Sequence, residues 1–256
     1  MMTRRTDLEI LPAAIWADRV AEALAGRLLA DPELRLCLPT GSTPLPVYDA
    51  LPRALAVAGG SGGRSTVVLL DEYLDLPAGH PARCDMQLRR MLIDRLDPAP
   101  ARLITFDVDG SDPAAACVAF DAAIEAIGGL DLVLLGLGTN GHIGMNEPGT
   151  PADARTRVID LAPSTMAAAR RYGAHPTPTR GVTLGMAEIL AAREIWLLIS
   201  GERKTGILAA ALDGPMTPEV PASLLRGHPG LRVIADDAAI HRQARATLAQ
   251  VTPGPR

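Results

Sequence analysis

The sequence predicts an α/β protein with a Rossmann-like, open and mostly parallel sheet and helices on both faces. Two observations favour this class. Short apolar runs alternate with stretches of helical spacing along the 256 residues. Hydrophobic residues make up 48% of the chain and aromatic residues only 3%, so Ala, Leu and Val must fill the core. Because α/β folds of about 200–250 residues are common as one domain, we expect a single domain spanning 1–256.

Apolar runs and turn residues define the first half of the predicted fold. Leu34–Leu38 reads as a buried strand. Pro44 then opens a helix that reaches about Ala58, because proline suits a first helical turn. Asp112 or Ser111 is expected to cap a later helix. The remaining elements are strands at Thr66–Leu70, Arg102–Phe106 and Leu130–Gly138 and helices at Asp85–Leu96 and Asp112–Ile127.

The second half contains an interruption in this alternation. From about residue 148 to 180 the chain is rich in Pro, Thr and Arg, around one short helix near Ser164–Tyr172. We interpret residues 150–180 as a short, mobile flap over a site and call this segment the flap. Beyond it the pattern predicts strands at Glu194–Ser200 and Leu231–Asp236, a helix after Gly201 and a closing helix at Asp237–Gln250.

Charge and composition exclude several classes of function. The net charge of −4 provides no broad basic field for nucleic acid. No apolar run approaches the roughly 20 residues that cross a bilayer, and the N-terminus does not resemble a signal peptide. Cys37, Cys84 and Cys117 are scattered without a CxxC pair. We therefore expect reduced thiols in a cytoplasmic protein that contacts neither nucleic acid nor membrane.

Polar segments follow four of the predicted strands directly. In open parallel sheets, ligands bind outside the carboxyl ends of the strands, so these segments should meet at one edge. No segment is a strong motif alone, and their shared placement carries the prediction. The segments are Thr40–Thr43, Asp71–Tyr73, Gly136–His142 and Ser200–Lys204.

Two of these segments favour an anion. The turn "PTGSTP" offers backbone N–H groups, two hydroxyls and a helix N-terminus, although a plain N-capped turn has the same pattern. It lacks the spacing of a Walker loop. Lys204 is the only lysine among 25 basic residues. A cation at a helix N-terminus is unfavourable because of the helix dipole, unless an anion lies nearby, so Lys204 is better explained beside a phosphate. The alternative is a codon bias toward arginine, with Lys204 left by chance.

The stretch "GLGTNGHIGMNEPGT" (residues 136–150) contains a formal GxGxxG pattern. It follows the fourth predicted strand, and no acidic residue about 20 positions later ends another strand, so a dinucleotide site is not expected. His142 and Glu147 lack a third metal ligand. We therefore predict no metal and no cofactor. A histidine and a carboxylate facing a small pocket suit proton transfer at neutral pH.

Two carboxylates follow the predicted strand Thr66–Leu70 and are candidates for a general base. Successive side chains of a strand point in opposite directions, so at most one of Asp71 and Glu72 faces the edge. Helix capping or loop solvation is the alternative for both. The other histidines, adjacent to proline or on polar helix ends, are interpreted as structural or solvated: His80, His175, His228 and His241.

Taken together, these segments resemble the glucosamine-6-phosphate deaminase/isomerase family, in matching order and spacing along nearly the whole chain. The matching pieces are "LPTGSTP", "LDEYLDLPAGHP", "LGLGTNGHIGMNEPGT", "ARTR", "VTLGMAEIL", "GERK" and "LLRGHP". The resemblance implies conversion of glucosamine 6-phosphate and water to fructose 6-phosphate and ammonia, without metal or organic cofactor. It implies a sugar-phosphate ligand and either a monomer or a homo-oligomer.

The resemblance also implies a role for each candidate residue. Asp71 matches the base that moves a proton between C2 and C1. His142 matches the residue that opens the sugar ring, and Glu147 its acidic partner. Asn140 stands where many members carry aspartate, and it orients the imidazole. The substrate and its phosphate would be held by Gly41, Ser42, Thr43, Glu72, Arg171 and Lys204.

Two departures from the family pattern bear on substrate and regulation. The chain reads "ARCDMQLRRML" after "GHP", where members carry a Ser–Tyr step and an aromatic-rich helix. A related 6-phospho amino sugar is therefore an alternative substrate. Allosteric members carry lysine where Ile159 stands, so we predict no activation by N-acetylglucosamine 6-phosphate.

Two further alternatives come from the same superfamily. A 6-phosphogluconolactonase would share the phosphate turn and the Gly–His step, but "GHIGMNEP" and "DEY" favour the deaminase. A sugar-phosphate-sensing regulator would need a helix-turn-helix region. Only about 30 residues precede the first predicted strand, too few for such a region, and the pI near 5.7 does not favour DNA binding.

Overall fold

A computed structural model describes residues 7–240 of the chain. Ten strands and eight α-helices lie within this range. The strands are β1 (Asp7–Leu11), β2 (Arg35–Leu38), β3 (Thr66–Leu69), β4 (Asp71–Tyr73), β5 (Arg102–Ile104), β6 (Leu132–Gly136), β7 (Arg157–Asp160), β8 (Arg180–Thr183), β9 (Glu194–Ile199) and β10 (Leu231–Asp236). The helices are α1 (Ala13–Ala30), α2 (Leu45–Val57), α3 (Cys84–Met91), α4 (Pro113–Ala126), α5 (Pro163–Arg171), α6 (Met186–Leu190), α7 (Thr205–Asp213) and α8 (Pro221–Leu224).

Seven strands form a parallel central sheet in the order β1-β10-β9-β6-β2-β3-β5. Buried side chains form two separate clusters. One cluster holds residues of α1, α2 and α3, and the other holds residues of α4, α6, α7 and α8. Since strand side chains alternate between the two clusters, the helices cover both faces of the sheet. The predicted fold class is confirmed.

The strand order reverses between β2 and β6. From β2 the chain proceeds to β3 and β5 on one side, whereas from β6 it proceeds to β9 and β10 on the other. Such a switch point leaves a crevice at the carboxyl ends of the two central strands. The segments that follow β2 and β6 are "PTGSTP" and "GLGTNGH". The topology therefore brings these two motifs to the same crevice.

A second, antiparallel sheet lies at this edge and was not predicted. Its order is β4-β8-β7, with Asp71 opposite Thr183 and Arg157 also opposite Thr183. The segment "DEY" is therefore a strand of its own rather than a loop after β3. The flap is likewise more regular than expected, because it contains β7 and α5 and begins β8. Pairing with β4, about 100 residues away in sequence, supplies the order that the local composition does not indicate.

Other predictions at the ends of the chain need correction. The residues before β2 form β1 and α1, so the chain enters the central sheet one strand earlier than predicted. The closing helix predicted at 237–250 begins as a 3-10 turn at Asp237–Ala239, and its remainder lies outside the described residues. The capping prediction is confirmed, because the Asp112 carboxylate accepts hydrogen bonds from Ala114 N and Ala115 N.

Candidate active site

The turn after β2, Gly41–Thr43, has the donors that an anion would bind, and we call it the anion turn. Gly41 has φ of +104°, a conformation that residues with a side chain rarely adopt. Within residues 7–240, the backbone amides of Gly41, Ser42 and Thr43 donate no hydrogen bond. Thr43 faces β6, with its Oγ1 3.8 Å from the position a Cβ would take on Gly136. Free amides at the start of α2 are the donors that a phosphate requires.

Lys204 lies at the same edge and directly precedes α7. Its Nζ donates a hydrogen bond to the carbonyl of Leu137, one residue beyond β6, at 2.5 Å. Burial lowers the pKa of the half-buried ammonium, and the nearby charge of Arg203 lowers it further. An anion beside Lys204 would offset both effects. Thr43 and Lys204 thus flank the end of β6 from two different elements.

Asp71 begins β4 and is 8% exposed. Burial raises its pKa from 3.8 to about 6, while a hydrogen bond from the Cys84 thiol and the charge of His142 act in the opposite direction. A carboxyl group with this pKa is ionised at neutral pH yet accepts a proton readily. The location and the pKa of Asp71 suit the predicted general base.

Glu72 points the other way and is fully buried. Its carboxylate accepts backbone hydrogen bonds from Tyr73 at 2.7 Å and from Cys84 and Asp85 at 2.8 Å, so it caps the N-terminus of α3. Burial raises its pKa to about 8, against the effect of these bonds. The expectation that Glu72 contacts substrate is not supported, since the carboxylate faces α3 and has no exposed surface.

Three side chains of the loop after β6 form one hydrogen-bonded chain. Asn140 Nδ2 donates to Glu147 Oε2 at 2.8 Å, and Asn140 Oδ1 lies 2.6 Å from His142 Nδ1. Asn140 Oδ1 also accepts from the backbone N–H of His142 at 3.2 Å. Since Asn140 donates to Glu147, its oxygen must accept from Nδ1–H, which leaves Nε2 of His142 as the basic nitrogen.

Glu147 joins this loop to the flap. Its Oε1 accepts a hydrogen bond at 2.6 Å from Thr165 Oγ1, on α5. Burial acts to raise the pKa of Glu147, but the nearby His142 ring and the hydrogen bonds from Thr165 and Asn140 outweigh it and lower the pKa to about 2. The carboxylate therefore stays ionised throughout the neutral range. It lies 3.5 Å from His142 Nδ1, close enough to stabilise a positive charge on the ring.

Gly138 determines where the His142 ring lies. A Cβ on Gly138 would stand 2.5 Å from three ring atoms, nearer than real Cβ atoms come to any neighbour. The backbone N–H of Gly138 also donates to the carbonyl of His142 at 3.0 Å. The glycine in this loop thus makes room for the imidazole. The sequence shows Gly138 as part of the GxGxxG pattern but does not indicate that it packs against the His142 ring.

The C-terminal end of α5 lies over the anion turn. Arg171, the last residue of α5, is exposed, and its guanidinium makes no hydrogen bond within the described residues. The next residue, Tyr172, has its hydroxyl 3.6 Å from the position a Cβ would take on Gly41. Tyr172 was missed in the sequence; an aromatic residue beside a predicted phosphate-binding arginine was the available signal.

The remaining histidines of the described range have structural or exposed positions. His228 bridges Ala192 O and Gly230 N, and His80 accepts from Ala82 N, which confirms structural roles for both. His175 is exposed, and His241 lies outside the described residues. Within residues 7–240, no group of three or more His, Cys, Asp and Glu side chains is arranged to hold a metal ion. No helix in this range is long and apolar enough to span a membrane.

The fold and this site define an open-sheet α/β protein with a histidine–asparagine–glutamate network and the anion turn at its topological switch point. Residues 11–234 match the family of glucosamine-6-phosphate isomerases and 6-phosphogluconolactonases. The chain belongs to this family.

Relatives within the family match this chain over about nine tenths of its length. A glucosamine-6-phosphate deaminase of Streptomyces avermitilis is 39% identical over 237 residues, 91% of either chain. One from Beutenbergia cavernae is 40% identical over 240 residues, 92% of either chain. Among solved structures, a monomeric glucosamine-6-phosphate deaminase matches with a TM-score of 0.86 at 30% identity, covering 91% of this chain and 98% of its own. The 6-phosphogluconolactonase of Thermotoga maritima matches with a TM-score of 0.71 at 21% identity, covering 91% and 99%. The lactonase likeness concerns the fold alone.

Proposed function

We propose that this chain is a glucosamine-6-phosphate deaminase, which converts glucosamine 6-phosphate and water to fructose 6-phosphate and ammonia. The observation that carries this proposal is the hydrogen-bonded series Glu147–Asn140–His142, with Asp71 near enough for the His142 charge to affect its pKa. The reaction needs one group to open a sugar ring and another to move a carbon-bound proton. Relatives at 39–40% identity carry the same name, which supports the proposal.

In this reaction, His142 acts first. Its Nε2 takes the proton of the C1 hydroxyl and returns it to the ring oxygen, so the pyranose opens to the aldehyde. Glu147, held ionised, stabilises the positive charge that His142 carries between the two transfers, and Asn140 keeps Nδ1 protonated. The ring-opening step leaves the amino group on C2 and the aldehyde on C1.

Asp71 then performs the isomerisation. Its carboxylate removes the proton from C2 while the ammonium group on C2 gives a proton to O1, which yields an enolamine. Asp71 returns its proton to C1, and the product is a protonated imine at C2. Water adds to this imine and nitrogen leaves as ammonium, so fructose 6-phosphate and ammonia are formed. A base with a pKa near 6 suits both the removal and the return of the proton.

The phosphate of the substrate is assigned to the anion turn. The free amides of Gly41, Ser42 and Thr43 would bind its oxygens, and Lys204 and Arg171 would balance its charge. We also propose a cytoplasmic location, which the three buried and unpaired cysteines support.

Product analysis tests the proposal. Purified protein is incubated with glucosamine 6-phosphate, and ammonia and fructose 6-phosphate are measured separately. Equal amounts of both products are expected. Galactosamine 6-phosphate and 6-phosphogluconolactone serve as rival substrates, because α3, which contributes the thiol beside Asp71, departs from the family pattern. Absence of both products with glucosamine 6-phosphate would reject the proposal, and turnover of the lactone alone would replace it with the hydrolase.

A further inference from the structure

The Tyr172 hydroxyl lies at the anion turn and has no hydrogen-bond partner in the described part of the chain. It forms no hydrogen bond with any residue of the described range 7–240. Apart from Gly41 and its two chain neighbours, no other described heavy atom comes within 4 Å of the position that a Cβ on Gly41 would occupy, and the hydroxyl lies 3.6 Å from it. A half-buried phenol normally finds a partner for its O–H. The hydroxyl and the free amides of the turn thus converge on one small region.

The end of α5 holds this phenol firmly. The backbone N–H of Tyr172 donates to Ala169 O at 3.0 Å. Gly173, with φ of +85°, then reverses the chain, and Ala174 N donates to Ala169 O at 3.1 Å. Ala169 and Ala174 are fully buried in the core. This helix end is therefore fixed by a glycine stop and by packing, so the ring is presented to the turn from an ordered element.

The charges around the turn favour an anion as the partner of this hydroxyl. Lys204 and Thr43 both lie at the end of β6, and Arg171, the last residue of α5, directly precedes Tyr172. The amides of Gly41–Thr43 supply donors only. A phenol O–H can complete such a set, because a phosphate has more acceptor sites than the backbone amides satisfy.

We propose that Tyr172 is a further phosphate-binding residue, whose hydroxyl donates a hydrogen bond to the substrate phosphate on the Gly41–Thr43 turn. This inference rests on the proposed function for the identity of the ligand. It assigns to the flap a direct part in selecting phosphorylated over unphosphorylated sugar.

The test compares Tyr172→Phe with the wild type. The substitution removes one oxygen and keeps the ring, so the fold is retained. The KM for glucosamine 6-phosphate should rise about 10-fold, as expected when a hydrogen bond to a charged group is lost, while kcat changes much less. The inhibition constant of inorganic phosphate should rise in parallel. Arg170→Gln, which alters the neighbouring exposed residue, is the matched control and should leave both constants unchanged.

Direct binding separates this inference from the proposed function. Calorimetric titration with inorganic phosphate reports on the anion turn whether or not the protein deaminates an amino sugar. Weaker phosphate binding by Tyr172→Phe supports the inference even if the wild type yields no fructose 6-phosphate. Equal phosphate affinity in the two proteins overturns it. A fall in kcat with unchanged KM and unchanged phosphate affinity also overturns it, because the hydroxyl would then act on the chemistry.

Discussion

Asn140 Oδ1 lies 2.6 Å from Nδ1 of His142, and this contact fixes which ring nitrogen is basic. The same amide donates through Nδ2 to Glu147 at 2.8 Å. An asparagine therefore suits this position in this chain, because its oxygen faces the Nδ1–H donor of His142 and its NH₂ group faces the carboxylate acceptor of Glu147. An aspartate there would place a second carboxylate against Glu147. The amide thus connects the carboxylate to the imidazole without a second negative charge.

The first prediction concerns Asn140. In Asn140→Ala, His142 loses the acceptor that orients its ring, so kcat/KM should fall. The loss should approach the factor of about 10² to 10⁴ that general acid–base catalysis typically contributes. In Asn140→Asp, two carboxylates repel each other at neutral pH, and kcat/KM should also fall. Steady-state kinetics at neutral pH measures both. An Asn140→Asp protein more active than the wild type would contradict this account of the network.

The second prediction concerns the glycine beneath the imidazole. In Gly138→Ala, the new methyl group would lie 2.5 Å from the His142 ring, so the ring must move and activity should be largely lost. Gly26→Ala is the control, because Gly26 lies in α1 with open space around it. That control should gain roughly 0.5–1 kcal/mol in free energy of unfolding and keep its activity. Full activity in Gly138→Ala would disprove the packing argument.

The third prediction links Asp71 to stability. Its pKa is raised from 3.8 to about 6, so the folded protein binds this proton more tightly than the unfolded chain does. The stabilisation of the folded state by this bound proton is complete below pH 3.8 and is lost as the pH rises through about 6. Above pH 6 the buried charge costs on the order of 2–3 kcal/mol.

Asp71→Asn removes this charge, so it should unfold at a higher urea concentration than the wild type at pH 8. The advantage should disappear near pH 4, where the wild-type carboxyl is largely protonated. Asp153→Asn, at an exposed position in the flap, provides the control. A stability difference between Asp71→Asn and the wild type that does not change with pH would contradict the assignment.

The fourth prediction concerns the thiol beside Asp71. A hydrogen bond from Cys84 lowers the pKa of Asp71, and kcat/KM should fall as the pH drops through about 6, where Asp71 becomes protonated. Cys84→Ala removes the donor, so this acid limb should move to higher pH. Cys84→Ser keeps a donor and should leave the limb near its wild-type position. Coincident pH profiles for Cys84→Ala and the wild type would exclude the contribution of the thiol.

The fifth prediction concerns Lys204. Because its Nζ donates to Leu137 O at 2.5 Å, we expect that the larger planar fork of arginine cannot reproduce this contact. Lys204→Ala and Lys204→Arg should both raise KM more than they lower kcat, since phosphate binding is largely uniform binding. Arg203→Ala changes an exposed neighbour and should have a small effect. An unchanged KM in Lys204→Ala would remove the lysine from the phosphate site.

The parallel sheet was predictable because its strands are continuous apolar runs, such as Val67–Leu69 and Leu132–Leu135. The antiparallel sheet was not, because β4, β7 and β8 are short and carry Asp, Glu, Arg and Thr. The sheet depends on the pairing of β4 with β8 across more than 100 residues of sequence, which a local pattern does not contain. β1 was missed for a related reason, since five residues before Pro12 form a strand only by pairing with β10.

The site was predictable to the extent that it depends on where strands end. Asp71, His142 and Lys204 follow apolar runs, and the sheet rule placed them at one edge. Strand alternation left Asp71 and Glu72 open as alternatives, and only the position of α3 decides between them. The approach of Tyr172 to Gly41 depends on how α5 packs over the turn, a tertiary contact across more than 120 residues of sequence.

Proton exchange at C2 tests the central claim, that Asp71 is the base of an aldose–ketose isomerisation, most directly. Wild type and Asp71→Asn are incubated with glucosamine 6-phosphate in D₂O, and deuterium at C2 of the sugar and at C1 of fructose 6-phosphate is followed by NMR. The wild type should form fructose 6-phosphate carrying some deuterium, whereas Asp71→Asn should show no exchange at C2 and no product while remaining folded. Exchange at C2 that persists in Asp71→Asn would contradict the account.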